Sequence, residues 1–286
     1  MIQNRVTFTL VICSYKHDNP LHLLNCLNSI LAQTILPTEI IIIKDGQLTT
    51  ELEKVIESFK FSNDLKIIPL PKNITLGPAR AKGVETAKHN WIALMDSDDI
   101  CLPYRFEHQL HLINSKKEID IIGGQITEYD DIPGNAISIR SVPTTHNEIL
   151  NCAKKRNPFN AMTVMFKRSL ALKSGNFRYF PGFEDYDLWT RMIKNGAKCA
   201  NCTEVLVNAR IGNGLYTRRS GFWYIRSEWQ MQCNLRKLNI TNRLEFMRNI
   251  LTRIPIRLLP KKWLECMYAN FGGRVAIDKS SNPSNP

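Results

Sequence analysis

Short apolar runs alternate with helix-forming segments through the first hundred residues, and this alternation limits the folds that the chain can adopt. The apolar runs lie at residues 6–13, 39–44, 65–70 and 91–95. Between them, one helix is predicted to begin at Pro20 and another to span residues 78–88. Strands that alternate with helices are typical of a parallel sheet wrapped by helices. We therefore predict an α/β fold with a mostly parallel, doubly wound sheet flanked by helices.

The second half of the chain has less regular signals. We expect a helix over residues 104–115, an extended segment over 119–129, a loop over 130–143 and a strand over 161–166 that runs into a short helix ending near Gly175. A further helix is predicted over residues 183–195, because Gly196 supplies a stop signal.

Polar side chains follow three of the predicted strands at the point where each strand ends. They are Ser14 and Tyr15 after the first strand, Asp45 after the second, and Asp96, Asp98 and Asp99 after the fourth. In a doubly wound sheet the carboxyl ends of the parallel strands share one rim, where ligands bind. We therefore expect these residues, which are far apart in the sequence, to line one crevice.

The acidic run at residues 96–99 has two interpretations. Ionised carboxylates this close repel one another, so a cation is expected between them. A hard divalent ion would take waters and substrate phosphate oxygens as its other ligands. Alternatively, the run is a turn, because Asp and Ser are common turn formers. The segment alone does not decide between the two.

A second acidic pair, Glu184 and Asp185, begins the predicted helix over residues 183–195. At 100° per residue, Asp185 lies in the middle of the apolar face, Glu184 lies at its edge and Asp187 points the opposite way. An inward-facing carboxylate in the first turn of a helix is a candidate general base. A buried salt bridge or a helix cap would produce the same pattern.

Basic residues form two further candidate sites. Arg80 belongs to the helix after the third strand, and Arg218 and Arg219 lie in a glycine-containing stretch, residues 212–221. Paired arginines in a mobile loop can clamp a diphosphate, although a solvated charge pair is the simpler interpretation. The sequence contains no Walker phosphate loop, GxGxxG fingerprint or GxSxG elbow, which argues against kinases, nucleotide-binding dehydrogenases and serine hydrolases.

The net charge of +12 indicates a polyanionic partner. Between Arg236 and Arg274, nine Lys or Arg residues and two Glu residues are interleaved with apolar side chains, as in segments that lie on an anionic membrane surface. Alternatively, the region is a helical subdomain that packs on the core with its basic face in water. This interpretation is compatible with a membrane-surface segment. Pro255 and Pro260 limit this region to two or three short helices. No nucleic-acid reader motif accompanies the charge, so we expect no nucleic-acid partner.

These features suggest a division of the chain. We predict an α/β domain over residues 1–220 that carries all the candidate site residues, a basic helical C-terminal region over 221–275 and a disordered tail over 276–286. No apolar run approaches the roughly 20 residues that span a bilayer, so the protein is not expected to be integral. Eight scattered cysteines fit a reducing cytoplasm.

Five segments, in order along the chain, resemble the inverting family 2 glycosyltransferases of the GT-A fold. They are VTFTLVICSYKHDN, SILAQTILPTEIIIIKDG, NITLGPARAKGV, ALMDSDD and GFEDYDLWTRM. The resemblance is closest to bacterial enzymes that build O-antigen, capsule and exopolysaccharide, to which NPFNAMTVMFKRS and ARIGNGLYTRRSG are also similar.

The resemblance implies roles for the candidate residues. Asp45 would bind the uracil or the ribose, Ser14 and Tyr15 would line the nucleoside pocket, and Arg80 would approach the nucleotide. Asp98, with Asp96 directly or through water, would hold Mn²⁺ or Mg²⁺ against the donor diphosphate. Asp185, in the acidic motif that it forms with Glu184, would remove the proton from the acceptor hydroxyl. The acceptor oxygen would then attack the anomeric carbon of the donor in line and invert its configuration.

The resemblance also implies a reaction: metal-dependent, inverting transfer of a hexose from a UDP-sugar to a saccharide on a lipid diphosphate. The expected acceptor is GlcNAc or GalNAc on undecaprenyl diphosphate, with a β-1,3 linkage as one candidate. The protein would then act in the cytoplasm, peripherally on the inner face of the plasma membrane. Two alternatives stay open: a soluble or protein acceptor, and a non-catalytic protein that binds nucleotide sugars or glycans.

Overall fold

The computed structural model describes residues 6–130, 135–211, 221–258 and 274–276, and it confirms the α/β class. The strands are β1 Phe8–Ser14, β2 Glu39–Lys44, β3 Asp64–Pro69, β4 Trp91–Asp96, β5 Ile100–Cys101, β6 Ile121–Tyr129, β7 Ala136–Arg140, β8 Met165–Lys167, β9 Cys199–Arg210 and β10 Arg274–Ala276. The α-helices are α1 Pro20–Leu31, α2 Thr50–Ser58, α3 Leu76–Thr86, α4 Arg105–Ser115, α5 His146–Ala153, α6 Arg168–Lys173, α7 Glu184–Lys194, α8 Phe222–Lys237 and α9 Arg243–Arg253.

The described strands form one curled sheet in the order β10-β7-β6-β8-β4-β1-β2-β3, with β9 paired to β6 and β5 paired to β9. Strands β1 to β4 are parallel to one another, as predicted. At their carboxyl ends, Cys13 of β1 is in register with Asp96 of β4, and Ser14 is in register with Lys44. The ends of β1, β2 and β4 therefore meet at one rim, where the polar residues were expected to converge.

The second half of the chain makes the sheet mixed rather than mostly parallel. Strand β8 pairs antiparallel with β4 and β6, β7 pairs antiparallel with β6, and β9 runs parallel to β6. The loop predicted over residues 130–143 is therefore wrong at β7. The strand predicted over 161–166 is also shorter, because Ala161–Thr163 forms a 3₁₀ turn before β8 begins.

Strands β1, β2 and β4 are buried along nearly their whole length, because helices cover both faces of the sheet at these strands. Alternate residues of each strand enter opposite layers: Leu10 and Ile12 pack with α1, α2 and α4, whereas Val11 packs with α3 and α7. Helix α1 begins after Asn19, whose side chain accepts hydrogen bonds from two backbone N–H groups of the first turn. This packing fixes the strand ends that carry the candidate site.

Helix α8 packs against the rest of the protein through α7, whereas α9 contacts Lys154 and Lys155 after α5. Tyr224, Met231 and Leu235 of α8 form an apolar cluster with Phe183 and Tyr186 at the start of α7. Helix α9 ends at Arg253, and a 3₁₀ turn over Pro255–Leu258 follows, so short helical pieces form as the prolines predicted.

The region predicted to be helical over 221–275 also contains a strand, because β10 pairs with β7 at the edge of the sheet. The tail predicted over 276–286 lies outside the described residues except for its first residue. Within the part of the chain that the structure describes, no helix combines the length and the apolar character needed to cross a bilayer.

Candidate active site

Asp45 is buried at the end of β2 and orders the loop that precedes α3. Its Oδ1 accepts a hydrogen bond from the backbone N of Ile74 at 2.7 Å, and its Oδ2 accepts one from Nδ2 of Asn73 at 2.9 Å. Gly46 follows with φ +87°, and a Cβ there would lie 2.7 Å from the backbone N of Asn73. The site needs glycine at this point, because a side chain would push the loop away from Asp45.

Ser14 and Tyr15 lie at the adjoining end of β1. Ser14 is buried, Tyr15 is exposed, and the backbone N of Tyr15 donates to Oδ2 of Asp18 at 3.2 Å. The Ser97 hydroxyl donates to the same oxygen at 2.7 Å, so Asp18 joins the first turn after β1 to the acidic run after β4. Burial raises the pKa of Asp18. This contact of Asp18 was not predicted from the sequence.

The acids after β4 have three different environments. Asp96 forms an ion pair with Arg80, and Asp98 is exposed. Asp99 is buried, and its Oδ1 accepts a hydrogen bond from the backbone N of Arg210 at 2.8 Å. Burial raises the pKa of Asp99 well above its ordinary value, and the nearby carboxylates of Asp98 and Asp96 add to this effect. The run therefore contains a turn at residues 97–98, and its three acids differ in charge: Asp96 is paired, Asp98 is exposed, and the raised pKa of Asp99 favours the neutral form.

The oxygen donors in this run match the chemistry of a hard divalent cation. Within the described ranges, no three or more His, Cys, Asp or Glu side chains are grouped so that they could enclose a metal ion by themselves. A Mg²⁺ or Mn²⁺ ion often needs only one or two protein carboxylates, because waters and substrate phosphates supply the other ligands. Asp98 and Asp96 therefore fit an ion that arrives with a diphosphate.

Arg80 is a buried cation between the two acidic sites. Its guanidinium pairs with Asp96 and lies 5.9 Å from the centre of the Phe177 ring. Burial acts to lower the pKa of Arg80, but the carboxylates of Asp96 and Glu184 raise it above its ordinary value. Arg80 therefore stays charged and connects the end of β4 with the start of α7.

The first turn of α3 packs directly on the first turn of α7. A Cβ at Gly77 would lie 3.1 Å from Cβ of Glu184 and 2.4 Å from the carbonyl oxygen of Arg178. Burial and the adjacent carboxylate of Asp185 raise the pKa of Glu184 to about 7. The two acidic sites, nearly ninety residues apart in the sequence, thus lie on either side of Arg80 and α3.

Asp185 is half-buried and has a fixed orientation. Its Oδ1 accepts a hydrogen bond from the backbone N of Tyr186 at 2.7 Å, and its Oδ2 accepts one from Nδ2 of Asn157 at 2.7 Å. The backbone N of Phe159 donates to Oδ1 of Asn157 at 3.2 Å, which directs the amide N–H of Asn157 towards Asp185. Sequence reasoning missed Asn157; its signal was the turn-forming Asn-Pro pair that begins at this residue.

Asp187 lies on the side of α7 opposite Asp185, as the helical phase predicted, but that side is also buried. Its carboxylate pairs with Arg178 at 2.6 Å and with Arg191 at 2.8 Å, and Asn234 of α8 donates to it at 2.7 Å. Asp187 is therefore a structural anion that holds α7 in place. The remaining predicted residues, Arg218 and Arg219, lie outside the described residues.

Comparison with known proteins shows the family to which the chain belongs. The family model described as "Glycosyl transferase family 2" matches residues 9–175. A protein of Erwinia amylovora, "Amylovoran biosynthesis glycosyltransferase AmsE", is 34% identical over 261 residues, which cover 91% of this chain and 97% of that protein. An Escherichia coli protein, "UDP-Gal:alpha-D-GlcNAc-diphosphoundecaprenol beta-1,3-galactosyltransferase", is 35% identical over 261 residues, which cover 91% of this chain and 94% of that protein.

Among solved structures, that of S. aureus TarS 1-349 in complex with UDP-GlcNAc matches with a TM-score of 0.64 at 14% sequence identity. The match covers 93% of this chain and 73% of that one. At this low identity the likeness concerns the fold, and it confirms the predicted GT-A architecture.

Proposed function

Because this chain belongs to glycosyltransferase family 2, and is therefore a sugar-transferring enzyme, we propose that it moves a hexose from a UDP-sugar to a lipid-diphosphate-linked saccharide with inversion. The observation that carries the proposal is that Arg80 of α3 pairs with Asp96, at the end of β4, while Gly77 of the same helix packs on Glu184 at the start of α7. We infer that the two acidic sites line one crevice. A donor diphosphate beside Asp96 and an acceptor hydroxyl beside Asp185 would then be neighbours.

On the donor side, Asp45, Ser14 and Tyr15 would hold the nucleoside. The hydrogen bonds of Asp45 to Asn73 and to the backbone of Ile74 support this role, because they give the rim a defined shape before the nucleotide binds. A preformed site loses less conformational entropy on binding.

At the diphosphate, Asp98 would hold Mn²⁺ or Mg²⁺, with Asp96 directly or through water. The bound ion would neutralise charge on the leaving diphosphate. Arg80 would act beside it, because the guanidinium is buried, charged and already oriented by Asp96. Arg218 and Arg219, which lie outside the described residues, would also bind the diphosphate.

On the acceptor side, Asp185 would accept the proton of the attacking hydroxyl. Both of its oxygens accept hydrogen bonds, from Tyr186 and Asn157, so the carboxylate is held in a fixed orientation. Glu184 has a pKa raised to about 7, so it holds a proton for part of the time at neutral pH, and we assign the role of base to the oriented carboxylate of Asp185.

The name of the Escherichia coli relative supports the acceptor, since it specifies GlcNAc on a diphosphoundecaprenol and a β-1,3 linkage to galactose. The amylovoran relative supports a place in bacterial surface-polysaccharide biosynthesis. With such an acceptor, the reaction takes place peripherally at the cytoplasmic face of the plasma membrane.

The test is sugar transfer by the purified protein from a panel of UDP-hexoses and UDP-N-acetylhexosamines to GlcNAc on a short-chain lipid diphosphate. We expect transfer from one of them, loss of activity in excess chelator, recovery with Mn²⁺ or Mg²⁺, and an inverted anomeric centre in the product. Asp98→Ala should behave like the chelated enzyme, whereas Asp64→Asn, at a surface carboxylate paired with Lys88, should be active. Full activity in chelator would contradict the metal role, and transfer only to soluble or protein acceptors would contradict the lipid-linked acceptor.

A further inference from the structure

The outward faces of α8 and α9 expose large apolar side chains. These residues, which we call the α8–α9 surface, are Phe222, Trp223 and Trp229 on α8 and Leu244, Met247 and Leu251 on α9. Phe222 is 85% exposed, Leu244 81% and Leu251 68%. On each helix most of them are separated by three, four or seven residues and so form one stripe. The Trp229 ring contacts Phe246 of α9, with centroids 6.0 Å apart, so the stripe of α8 reaches α9.

Both acidic residues of α8 and α9 are paired with basic residues. Over residues 222–258 the acidic residues are Glu228 and Glu245. Glu228 is buried and pairs with Arg253 at 2.6 Å and with Arg257 at 3.0 Å. Glu245 caps the start of α9 and pairs with Lys154 at 3.0 Å.

The basic residues that remain flank the α8–α9 surface. They are Arg226, Arg236, Lys237, Arg243 and Arg248, of which all but the half-buried Arg236 are exposed. Within the described part of these helices, therefore, the outward charge is positive and the outward apolar area is large. Such a face suits an anionic partner that can also accept apolar side chains.

The α8–α9 surface adjoins the acceptor side of the crevice. Helix α8 begins beside the loop that leads to Glu184: a Cβ at Gly182 would lie 3.1 Å from the ring of Tyr224 and 3.9 Å from that of Trp223. The rings of Tyr224 and Phe183 are 5.2 Å apart. A large partner on this surface would thus lie next to the first turn of α7.

We propose that the α8–α9 surface lies on an anionic lipid bilayer and presents the crevice to acceptors held in that bilayer; the second part rests on the proposed function. Interfacial helices combine Trp, Phe and Leu with Lys and Arg in this way, and tryptophan favours the membrane–water interface. A second copy of the chain is a poorer occupant, because two positive faces would repel each other. In an anionic bilayer, the lipid headgroups can pair with the basic residues and the acyl region can bury the apolar side chains.

The test measures binding to vesicles by cosedimentation. Vesicles of phosphatidylcholine mixed with an equal part of phosphatidylglycerol should bind the wild-type protein more tightly than phosphatidylcholine alone. The combined substitution Leu244→Gln, Met247→Gln and Leu251→Gln should weaken binding by at least about tenfold, since three apolar contacts are lost. Arg243→Gln with Arg248→Gln should weaken it about 25-fold at low salt, at about fivefold per charge.

A matched control replaces exposed apolar residues elsewhere. Leu21→Gln, Leu24→Gln and Leu31→Gln also change three exposed leucines on an outer helix, α1, and should leave vesicle binding unchanged. Equal binding by the wild type, the α9 variant and the control would overturn the proposal. So would a wild-type dimer, seen by light scattering, that the α9 substitutions dissociate without any change in vesicle binding.

Sugar transfer, measured in parallel, separates this proposal from the proposed function. With a short-chain acceptor in solution, the α9 variant should match the wild type, whereas with the same acceptor headgroup in anionic vesicles it should be slower. A wild type that binds anionic vesicles but elongates no lipid-linked acceptor would support the surface and contradict the proposed function. A wild type that elongates the soluble analogue but binds no vesicles would support the proposed function and contradict the membrane role of the α8–α9 surface.

Discussion

The hydrogen bond between Asn157 and Asp185 yields a prediction whose size follows from the structure. Nδ2 of Asn157 lies 2.7 Å from Oδ2 of Asp185, and the backbone N of Phe159 fixes the other end of the amide. A hydrogen bond to a charged group contributes about 1.5–3 kcal/mol, which is a factor of about 10–150 in rate. If this bond orients the base for the transition state, Asn157→Ala should lower kcat by about that factor. The KM for the UDP-sugar should change little, because Asn157 lies on the acceptor side.

Asn157→Asp separates the effect on the base from damage to the loop. The introduced carboxyl keeps an oxygen for the backbone N of Phe159 but places a second acid against Asp185. Two carboxyls that share a site do not ionise together easily, so at low pH the introduced group holds a proton and can donate it to Asp185 as the amide does. Its activity relative to the wild type should therefore fall as the pH rises.

The assay is steady-state transfer at saturating acceptor over a range of pH, with thermal unfolding of each variant as the check on folding. Two results would refute the reasoning. One is an Asn157→Asp enzyme that matches the wild type at every pH. The other is an Asn157→Ala enzyme that binds the UDP-sugar poorly but keeps its kcat, which would place Asn157 in the donor site.

Three further predictions concern stability. Glu228→Ala should lower the free energy of unfolding by about 3–5 kcal/mol in urea titrations, because it leaves two arginines without their buried partner, and Glu228→Gln should cost less. Burial and Asp185 raise the pKa of Glu184 from its ordinary value of 4.5 to about 7. Between these two pH values the folded protein keeps a proton on Glu184 that the unfolded chain has released. The free energy of unfolding of the wild type should therefore fall relative to that of Glu184→Gln as the pH rises over this interval. If both proteins showed the same pH dependence, the raised pKa of Glu184 would be contradicted. Gly77→Ala should destabilise by about 1–3 kcal/mol, because its methyl group would meet the Arg178 carbonyl, and unchanged thermal stability and activity would show that the α3–α7 contact adapts.

The rim of the sheet could be predicted from the sequence because its signals are local. Each apolar run ends in polar residues, and parallel strands bring their carboxyl ends together whatever the loops do. The phase of α7 was equally accessible, since an apolar stripe fixes the direction of Asp185. These two patterns place Asp45, Asp96 and Asp185 without any knowledge of their contacts.

Contacts between distant segments could not be predicted in this way. Asn157 reaches Asp185 across 28 positions, and Ser97 reaches Asp18 across 79, with nothing in either local sequence to indicate its partner. Strand β9 was missed because polar residues and two shifts of register interrupt its pairing with β6 and obscure the strand pattern. The burial of Asp187 was also hidden, since it depends on α8, which packs on the outer side of α7.

The proposed reaction depends on Asp185 as the group that removes the acceptor proton, and the substitution Asp185→Asn tests this role directly. This change keeps the shape of the side chain but removes the base, so transfer to the lipid-diphosphate acceptor should fall by about 10²–10⁴. Binding of the UDP-sugar, measured by calorimetry on the same preparation, should be unchanged because Asp185 lies outside the donor site. An Asp185→Asn enzyme that binds the donor and transfers sugar at close to the wild-type rate would contradict the account.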